Sequence, residues 1–255
     1  MSETAERVSG QNLIDNYVYQ RCLFAYHSVV ELIGGKVLEI GTGTGLGVEL
    51  ISRHCDKFTT IDKFECGLDF SKYPNVEFVQ MTIPPFQGFA DNSFDFVISF
   101  QVIEHIENDK YYLEEIVRVL KPGGKAILTT PNRLQSLTRN PWHIREYLPH
   151  ELKGLMINSG FKSVDAKGTY GSSKIDTYIL ENKKHIEKFT KFDIFNLQYR
   201  LPRFILQIPY DILNKWNRKS IAKSNNQLTK SIGINDFSVK DCDNNCLDLF
   251  FIGTK

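Results

Sequence analysis

The stretch KVLEIGTGTGLGVELI, residues 36–51, joins an apolar strand pattern to an amphipathic helix pattern through a turn with glycine at alternate positions. Strand-like and helix-like runs then alternate as far as about Thr169. Such alternation is typical of parallel strands joined by crossover helices. The chain is therefore predicted to be an α/β protein with a parallel sheet wrapped by helices.

Seven strands and two of the intervening helices can be read from the pattern. The predicted strands are KVLEI, FTTID, VEFVQ, FDFVIS, KAILTT, KSVDAKG and, at the end of the chain, CLDLFFIGTK. One crossover helix is predicted in NDKYYLEEIVRVL, because its apolar residues recur at helical spacing before Pro122 and two glycines. A second is predicted in PHELKGLMINSG, with Gly160 at its C-terminal end.

The glycine turn narrows the choice of ligand. It lacks the Lys-Ser/Thr pair of a P-loop, and none of its glycines starts the spacing of a dinucleotide fingerprint. Two acids remain beside it, Glu39 on the first strand and Asp62 at the end of the second. An acid on the first strand suits an ammonium group, and one ending the second strand suits a ribose diol. S-adenosylmethionine has both groups and no phosphate.

Four segments in order, VLEIGTGTG, TTID, SFDFVISFQVIEHI and VLKPGGKAILTTPN, resemble the motifs of class I S-adenosylmethionine-dependent methyltransferases of the bacterial type 11-like group. They span about residues 36–132. The resemblance implies a Rossmann-like, doubly wound sheet of seven strands whose last strand is antiparallel. It also implies that S-adenosylmethionine, converted to S-adenosylhomocysteine, binds above the carboxyl ends of the strands.

The same resemblance implies which residues hold the cofactor. Glu39 and the backbone of Gly41–Gly43 would hold the methionine portion, and Asp62 the ribose. Thr82 would meet the adenine, although Met81 and Thr82 stand where many relatives have Gly-Asp. The implied contacts are Glu39, Gly41, Thr42, Gly43, Asp62, Lys63, Thr82, Phe100 and Gln101.

Three residues are candidates for catalysis. Glu104 and His105 in VIEHIEN, and His143 in NPWHIREY, follow strand ends on the cofactor side. A histidine base would assist an oxygen nucleophile, so either histidine could take the acceptor's proton while Glu104 supports it. These residues also resemble three Mg²⁺ ligands of enzymes that methylate the terminal ribose 2′-hydroxyl of small RNAs. Gln101 replaces the fourth ligand, a glutamate, so no metal is predicted.

Residues 172–230 interrupt the alternating pattern and are predicted to form a helical, basic and aromatic-rich lid inserted before the last strand. The segment carries 12 Lys and Arg against five Asp and Glu, about +7, whereas the whole chain carries +1. Pro202 and Pro209 are each predicted to open a short helix. The core is predicted to comprise residues 36–171 and 231–255, and residues 1–35 to form helices over the active site.

Several partners and functions stay open. The lid suits an unidentified anionic or lipid-like acceptor, or peripheral contact with an anionic membrane. The acceptor is predicted to be a small molecule, a glycan or a lipid-linked molecule. Nucleic acid is less favoured, and a steep salt dependence of binding would reveal it. A non-catalytic scaffold is the third alternative. A polar N-terminus and five unpatterned cysteines predict a cytoplasmic protein.

Overall fold

A computed structural model describes residues 13–190 and 197–255. The other residues include 1–12 of the predicted N-terminal region and 191–196 of the predicted lid, which lie outside the described residues. The strands are β1 (Lys36–Ile40), β2 (Lys57–Asp62), β3 (Val76–Gln80), β4 (Phe94–Phe100), β5 (Leu120–Pro131), β6 (Ser163–Gly171), β7 (Phe237–Asp241) and β8 (Asp248–Thr254). The α/β fold predicted from the alternating pattern is confirmed.

The strands form one sheet in the order β3-β2-β1-β4-β5-β8-β6-β7. The first five strands are parallel, whereas β8 runs antiparallel between β5 and β6. The antiparallel last strand is therefore as expected. The sheet has eight strands rather than the seven expected, because β7 adds an antiparallel edge strand beside β6.

The helices are α1 (Asn16–His27), α2 (Val48–Ser52), α3 (Asp109–Val119), α4 (Pro149–Asn158), α5 (Ser173–Thr190), α6 (Leu197–Arg200), α7 (Arg203–Ser224) and α8 (Asn226–Ser231). The predicted crossover helices are α3 and α4. Asn108 caps the start of α3 by accepting a hydrogen bond from the backbone N–H of Tyr111, and α4 ends at Asn158, with Ser159 as its C-cap and Gly160 following at φ +107°. The Asn108 side chain satisfies a donor of the first turn of α3, and a glycine at positive φ lets the chain leave α4.

Alternate residues of the strands face opposite sides of the sheet, and each side has its own core. On β1, Leu38 and Ile40 pack on the side covered by α3 and α4, while Val37 packs on the side of α1 and α2. A third cluster joins α1, α5, α7 and α8 to the sheet: Tyr17, Ile175, Tyr178, Ile221, Ile232, Phe237 and Leu247. The inserted helices are thus packed against the core domain.

Pro202 and Pro209 have different positions in the inserted helices. Pro202 caps α7, as predicted, but Pro209 lies inside the same helix, so the prediction that it opens a helix is wrong. A proline at this position removes one donor to the carbonyl of Ile205. Ile205 is 47% exposed, so this part of α7 faces solvent.

The helices were compared with the length and hydrophobicity of a membrane-spanning helix. Within residues 13–190 and 197–255, none combines the length and hydrophobicity needed to cross a bilayer.

Candidate functional site

A cleft of about 1710 Å³ opens above the carboxyl ends of the parallel strands. Most of the predicted cofactor contacts line it: Gly41, Thr42, Gly43, Asp62, Lys63, Thr82, Phe100 and Gln101. The three predicted catalytic residues also line it. A crevice at this edge is the usual ligand site of doubly wound sheets.

The glycine turn is shaped by hydrogen bonds to β2. The backbone N–H groups of Gly41 and Thr42 donate to the carbonyl of Ile61 at 2.8 and 3.1 Å. Gly43 has φ +59°, and no atom lies within 4 Å of the place where its Cβ would be. Space for a ligand therefore remains directly above the turn, as glycine permits.

Asp62 is fixed at the end of β2. Its Oδ2 accepts from the N–H of Gly43 at 2.8 Å, and its Oδ1 accepts from the N–H of Phe64 at 2.9 Å. Two backbone donors fix the orientation of the carboxylate before any ligand arrives, and each carboxylate oxygen can accept more than one hydrogen bond. Asp62 is therefore both a support for the turn and a possible acceptor for ligand hydroxyl groups.

Glu39 lies beneath the turn and is only 2% exposed. Its Oε1 accepts from the Tyr26 hydroxyl at 2.7 Å, and its Oε2 accepts from the Thr60 hydroxyl. Burial raises the pKa of Glu39 to about 7, although these two hydrogen bonds oppose the rise. Tyr26 lines the cleft and was not identified from the sequence, because nothing in its helical context distinguishes it from a packing residue.

Glu104 lies in a 3-10 turn after β4 and is fully buried. Its Oε2 accepts from the hydroxyl of Thr130 at 2.9 Å. Among the described residues, its Oε1 has no hydrogen-bond partner. Burial raises the pKa of Glu104, and the nearby His105 and His143 oppose this rise. A buried carboxylate with spare acceptor capacity is a frequent feature of functional sites.

His105 and His143 meet edge to face with their ring centroids 5.0 Å apart. One ligand atom from each histidine and one from Glu104 lie within 4.8 Å of one another. The sequence prediction that these residues share one site is therefore supported by their positions.

Hydrogen bonds set the tautomers of the two histidines and engage their ring nitrogens differently. Nδ1 of His105 lies 3.0 Å from the carbonyl oxygen of Trp142, which can only accept, so Nδ1 carries the proton and Nε2 the lone pair. For His143, Nδ1 lies 2.7 Å from Oε1 of Glu146, and Nε2 lies 2.8 Å from the amide nitrogen of Asn140. The lone pair of His143 is thus already engaged by Asn140.

A partly buried ion pair not identified from the sequence lies at one side of the cleft. Nε of Arg21, on α1, donates to Oδ2 of Asp248, at the start of β8, at 2.7 Å. The amide of Gln101 donates to the other carboxylate oxygen of Asp248 at 3.1 Å. Burial lowers the pKa of Arg21, but the Asp248 carboxylate outweighs this and raises it overall. The pair holds α1 against the sheet.

The inserted helices form another wall of the cleft. Nε1 of Trp142 donates to Oδ1 of Asp211 on α7 at 3.0 Å. On the other side, Tyr17 of α1 stacks on Tyr178 of α5 with ring centroids 4.6 Å apart. The segment predicted as a lid therefore lines the cleft and contacts both the loop that carries His143 and α1.

Comparisons with known proteins show which family the chain resembles in sequence. Residues 38–128 match the family model described as "Methyltransferase domain". A Mycobacterium tuberculosis protein named "Probable S-adenosylmethionine-dependent methyltransferase" is 32% identical over 197 residues, which cover 69% of this chain and 72% of the relative. A Rickettsia bellii protein named "Ubiquinone biosynthesis O-methyltransferase" is 23% identical over 189 residues, covering 66% of this chain and 77% of the relative.

A solved structure shows the same fold. It is a SAM-dependent methyltransferase from Thermotoga maritima, 16% identical, with a TM-score of 0.57 and coverage of 95% of this chain and 98% of that one. The structural likeness supports the fold, and the sequence relatives support the methyltransferase activity. The chain belongs to the S-adenosylmethionine-dependent methyltransferases.

Proposed function

We propose that this methyltransferase methylates a hydroxyl oxygen of a small-molecule, glycan or lipid-linked acceptor, with His105 as the general base. The observation that carries the proposal is the Nδ1 contact of His105 with the Trp142 carbonyl at 3.0 Å, because it leaves the lone pair on Nε2. His105 lines the cleft, so its side chain belongs to the wall that an acceptor would meet.

The residues of the turn fit the cofactor. Open space above Gly43 and the fixed carboxylate of Asp62 suit the methionine portion and the ribose, respectively. Thr82, Lys63 and Phe100 line the same end of the cleft and would surround the adenosine. When bound, S-adenosylmethionine supplies a methyl group on a positively charged sulfur.

The chain's own contribution is to align the acceptor and to take its proton. Alignment of two reactants can supply several kcal/mol of a barrier. Nε2 of His105 would take the hydroxyl proton as the oxygen gains its methyl group. Glu104, buried beside the histidine cluster, would stabilise the imidazolium that results.

The choice of oxygen has two supports. A sulfur or amine nucleophile has less need of a base, whereas a hydroxyl group must lose its proton during transfer. The Rickettsia bellii relative is named an O-methyltransferase, which agrees with an oxygen acceptor. The helices α5 and α7 supply part of the wall away from the glycine turn, and we assign acceptor binding to them.

Transfer of a labelled methyl group tests the proposal. Hydroxyl-bearing acceptors of the three classes are incubated with methyl-labelled S-adenosylmethionine and the enzyme. His105→Ala should lower turnover by about 10² to 10⁴-fold and leave cofactor affinity nearly unchanged. His150→Ala is the matched control, because His150 is exposed on α4 outside the cleft. Full turnover in the His105 variant, or methyl transfer to nitrogen alone, would refute the proposal.

A second candidate is metal-assisted methylation of an RNA ribose 2′-hydroxyl. It is favoured by the close approach of Glu104, His105 and His143. It is weakened at Gln101, where the resemblance implies a second carboxylate, because hard dications prefer carboxylate and water oxygens. Chelation separates the two candidates.

A further inference from the structure

Helix α7 has two faces with different surroundings. Its inner face contributes Leu206, Tyr210, Asn214 and Asn217 to the cleft. Its outer face exposes large apolar side chains at four-residue intervals, with exposed fractions of 71% for Phe204, 72% for Ile208, 63% for Ile212 and 54% for Trp216. Residues four apart lie on one face of a helix, so these side chains form a continuous apolar stripe.

The stripe reaches the cleft. Leu213 is 50% exposed and also lines the cleft, and the exposed Pro209 does the same one turn earlier. The outer apolar face and the interior of the site therefore meet along the edge of α7. A contiguous exposed apolar patch of this kind marks an interaction surface in most proteins.

The exposed charged residues of α7 are all positively charged. Lys215, Lys219 and Lys223 are exposed. Lys215 lies next to Trp216 within the span of the apolar stripe, and the other two lysines lie beyond it. The sequence of α7 contains a single acid, Asp211, and its Oδ1 accepts from the indole N–H of Trp142 at 3.0 Å. Arg218 is half-buried and pairs with Asp15 at 2.8 Å. The outer face thus combines apolar residues with exposed lysines.

The occupant of this face has to offer both apolar surface and negative charge. A second copy of the chain presents the same exposed lysines and only Asp211 as an acid on α7, so it supplies no counter-charge to Lys215, Lys219 and Lys223. An anionic bilayer has acyl chains below its negatively charged headgroups. It can therefore accept the apolar side chains of this face and pair with its lysines. We propose that α7 is a docking helix that lies in the headgroup region of an anionic membrane.

Docking would place the mouth of the cleft at the membrane surface. A lipid-like acceptor could then pass from the bilayer over the edge of α7, past Pro209 and Leu213, into the site. This consequence rests on the proposed function, whereas docking itself depends only on the composition of the exposed face.

Vesicle binding by the full-length protein tests the proposal. Flotation with vesicles of phosphatidylglycerol and phosphatidylcholine is compared with flotation with phosphatidylcholine alone. The triple variant Lys215→Gln, Lys219→Gln, Lys223→Gln should bind the anionic vesicles about a hundredfold more weakly. A second variant, Ile208→Ser with Ile212→Ser, should lose most of the binding, because these side chains supply buried apolar area.

Matched controls carry the same changes elsewhere. Ile157→Ser removes an exposed isoleucine on α4, and Lys57, Lys72 and Lys110 changed to Gln remove three exposed lysines outside α7. Both controls should bind like the unmodified protein, and thermal unfolding of every variant confirms that it folds. Absence of binding to anionic vesicles, or equal loss in the controls, would overturn the proposal. So would concentration-dependent dimers that the Ile208 and Ile212 changes dissociate.

Methyl transfer to a water-soluble acceptor distinguishes this proposal from the proposed function. Docking variants that lose vesicle binding but keep transfer to the soluble acceptor would support a separate membrane role for α7. Vesicle binding by a protein that methylates no hydroxyl-bearing acceptor would refute the proposed function and leave the docking helix standing.

Discussion

The amide nitrogen of Asn140 lies 2.8 Å from Nε2 of His143. The orientation of that amide is set by its oxygen, which accepts from the backbone N–H of Trp142 at 3.0 Å. The amide therefore donates to His143, and the imidazole must carry its proton on Nδ1, facing Glu146. This network engages both ring nitrogens of His143, one of the two histidines that the sequence presents as a candidate base.

The first prediction follows from that network. In the native enzyme, ¹⁵N chemical shifts should show His143 as the neutral tautomer protonated at Nδ1. Asn140→Asp replaces a donor with an acceptor, so His143 should become doubly protonated near neutral pH, because a carboxylate then faces each nitrogen. An unchanged tautomer in the Asp variant would show that Asn140 does not control the protonation of His143. Asn75→Asp, a change at an amide outside the cleft, is the control.

The second prediction concerns the carboxylate that ends β2. Asp62→Ala should weaken S-adenosylmethionine binding by roughly 1.5 to 3 kcal/mol, the usual size of hydrogen bonds to a charged group. Calorimetric titration gives the affinity. Asp56→Ala, an exposed acid near the other end of β2, should leave it unchanged. Equal affinity of the Asp62 variant and the native enzyme would contradict the ribose assignment.

The third prediction is a pH dependence of stability. Burial raises the pKa of Glu39 from 4.5 to about 7. A raised pKa in the folded state means that the group's stabilising contribution is fully present below about pH 4.5 and is lost as pH rises through about 7. The loss should be on the order of 3 kcal/mol, since one pKa unit corresponds to about 1.4 kcal/mol.

Denaturant unfolding between pH 5 and 8 measures this loss. Glu39→Gln cannot ionise, so its free energy of unfolding should fall less across that range than that of the native enzyme. Glu49→Gln changes an exposed glutamate and should keep the native slope. Identical slopes for all three proteins would mean that Glu39 does not titrate in this window.

Much of the fold was predictable because its signals are local. Strands β1 to β6 and β8 show apolar runs between turn residues, and α3 shows helical spacing with a clear stop. Strand β7 was missed, because FSVKD is short and lies at the sheet edge after a long helical insertion. Its strand character depends on pairing with β6 rather than on its own pattern.

The site was predictable only in part. Glu104, His105 and His143 were identified by motif, and their positions bring them together. The contact of Arg21 with Asp248 joins residues 227 positions apart, and that of Tyr26 with Glu39 depends on how α1 crosses β1. No local pattern encodes either contact, since each arises when distant elements pack. The assignment of roles between the two histidines likewise required the hydrogen bonds of Asn140 and Trp142.

The last prediction is that catalysis needs no metal. Coordination through Nε2 of His143 would have to displace the Asn140 amide, and coordination through Nδ1 would have to displace Glu146. The remaining set, Glu104 with His105, is too small to hold a dication in water. Two histidines and one glutamate also suit Zn²⁺, so the test must cover soft and hard metals. Turnover should survive EDTA and 1,10-phenanthroline. Activity that is lost on chelation and restored by Mg²⁺ or Mn²⁺ would contradict the general-base proposal and favour methylation of RNA ribose, whereas restoration by Zn²⁺ alone would assign the cluster to that ion.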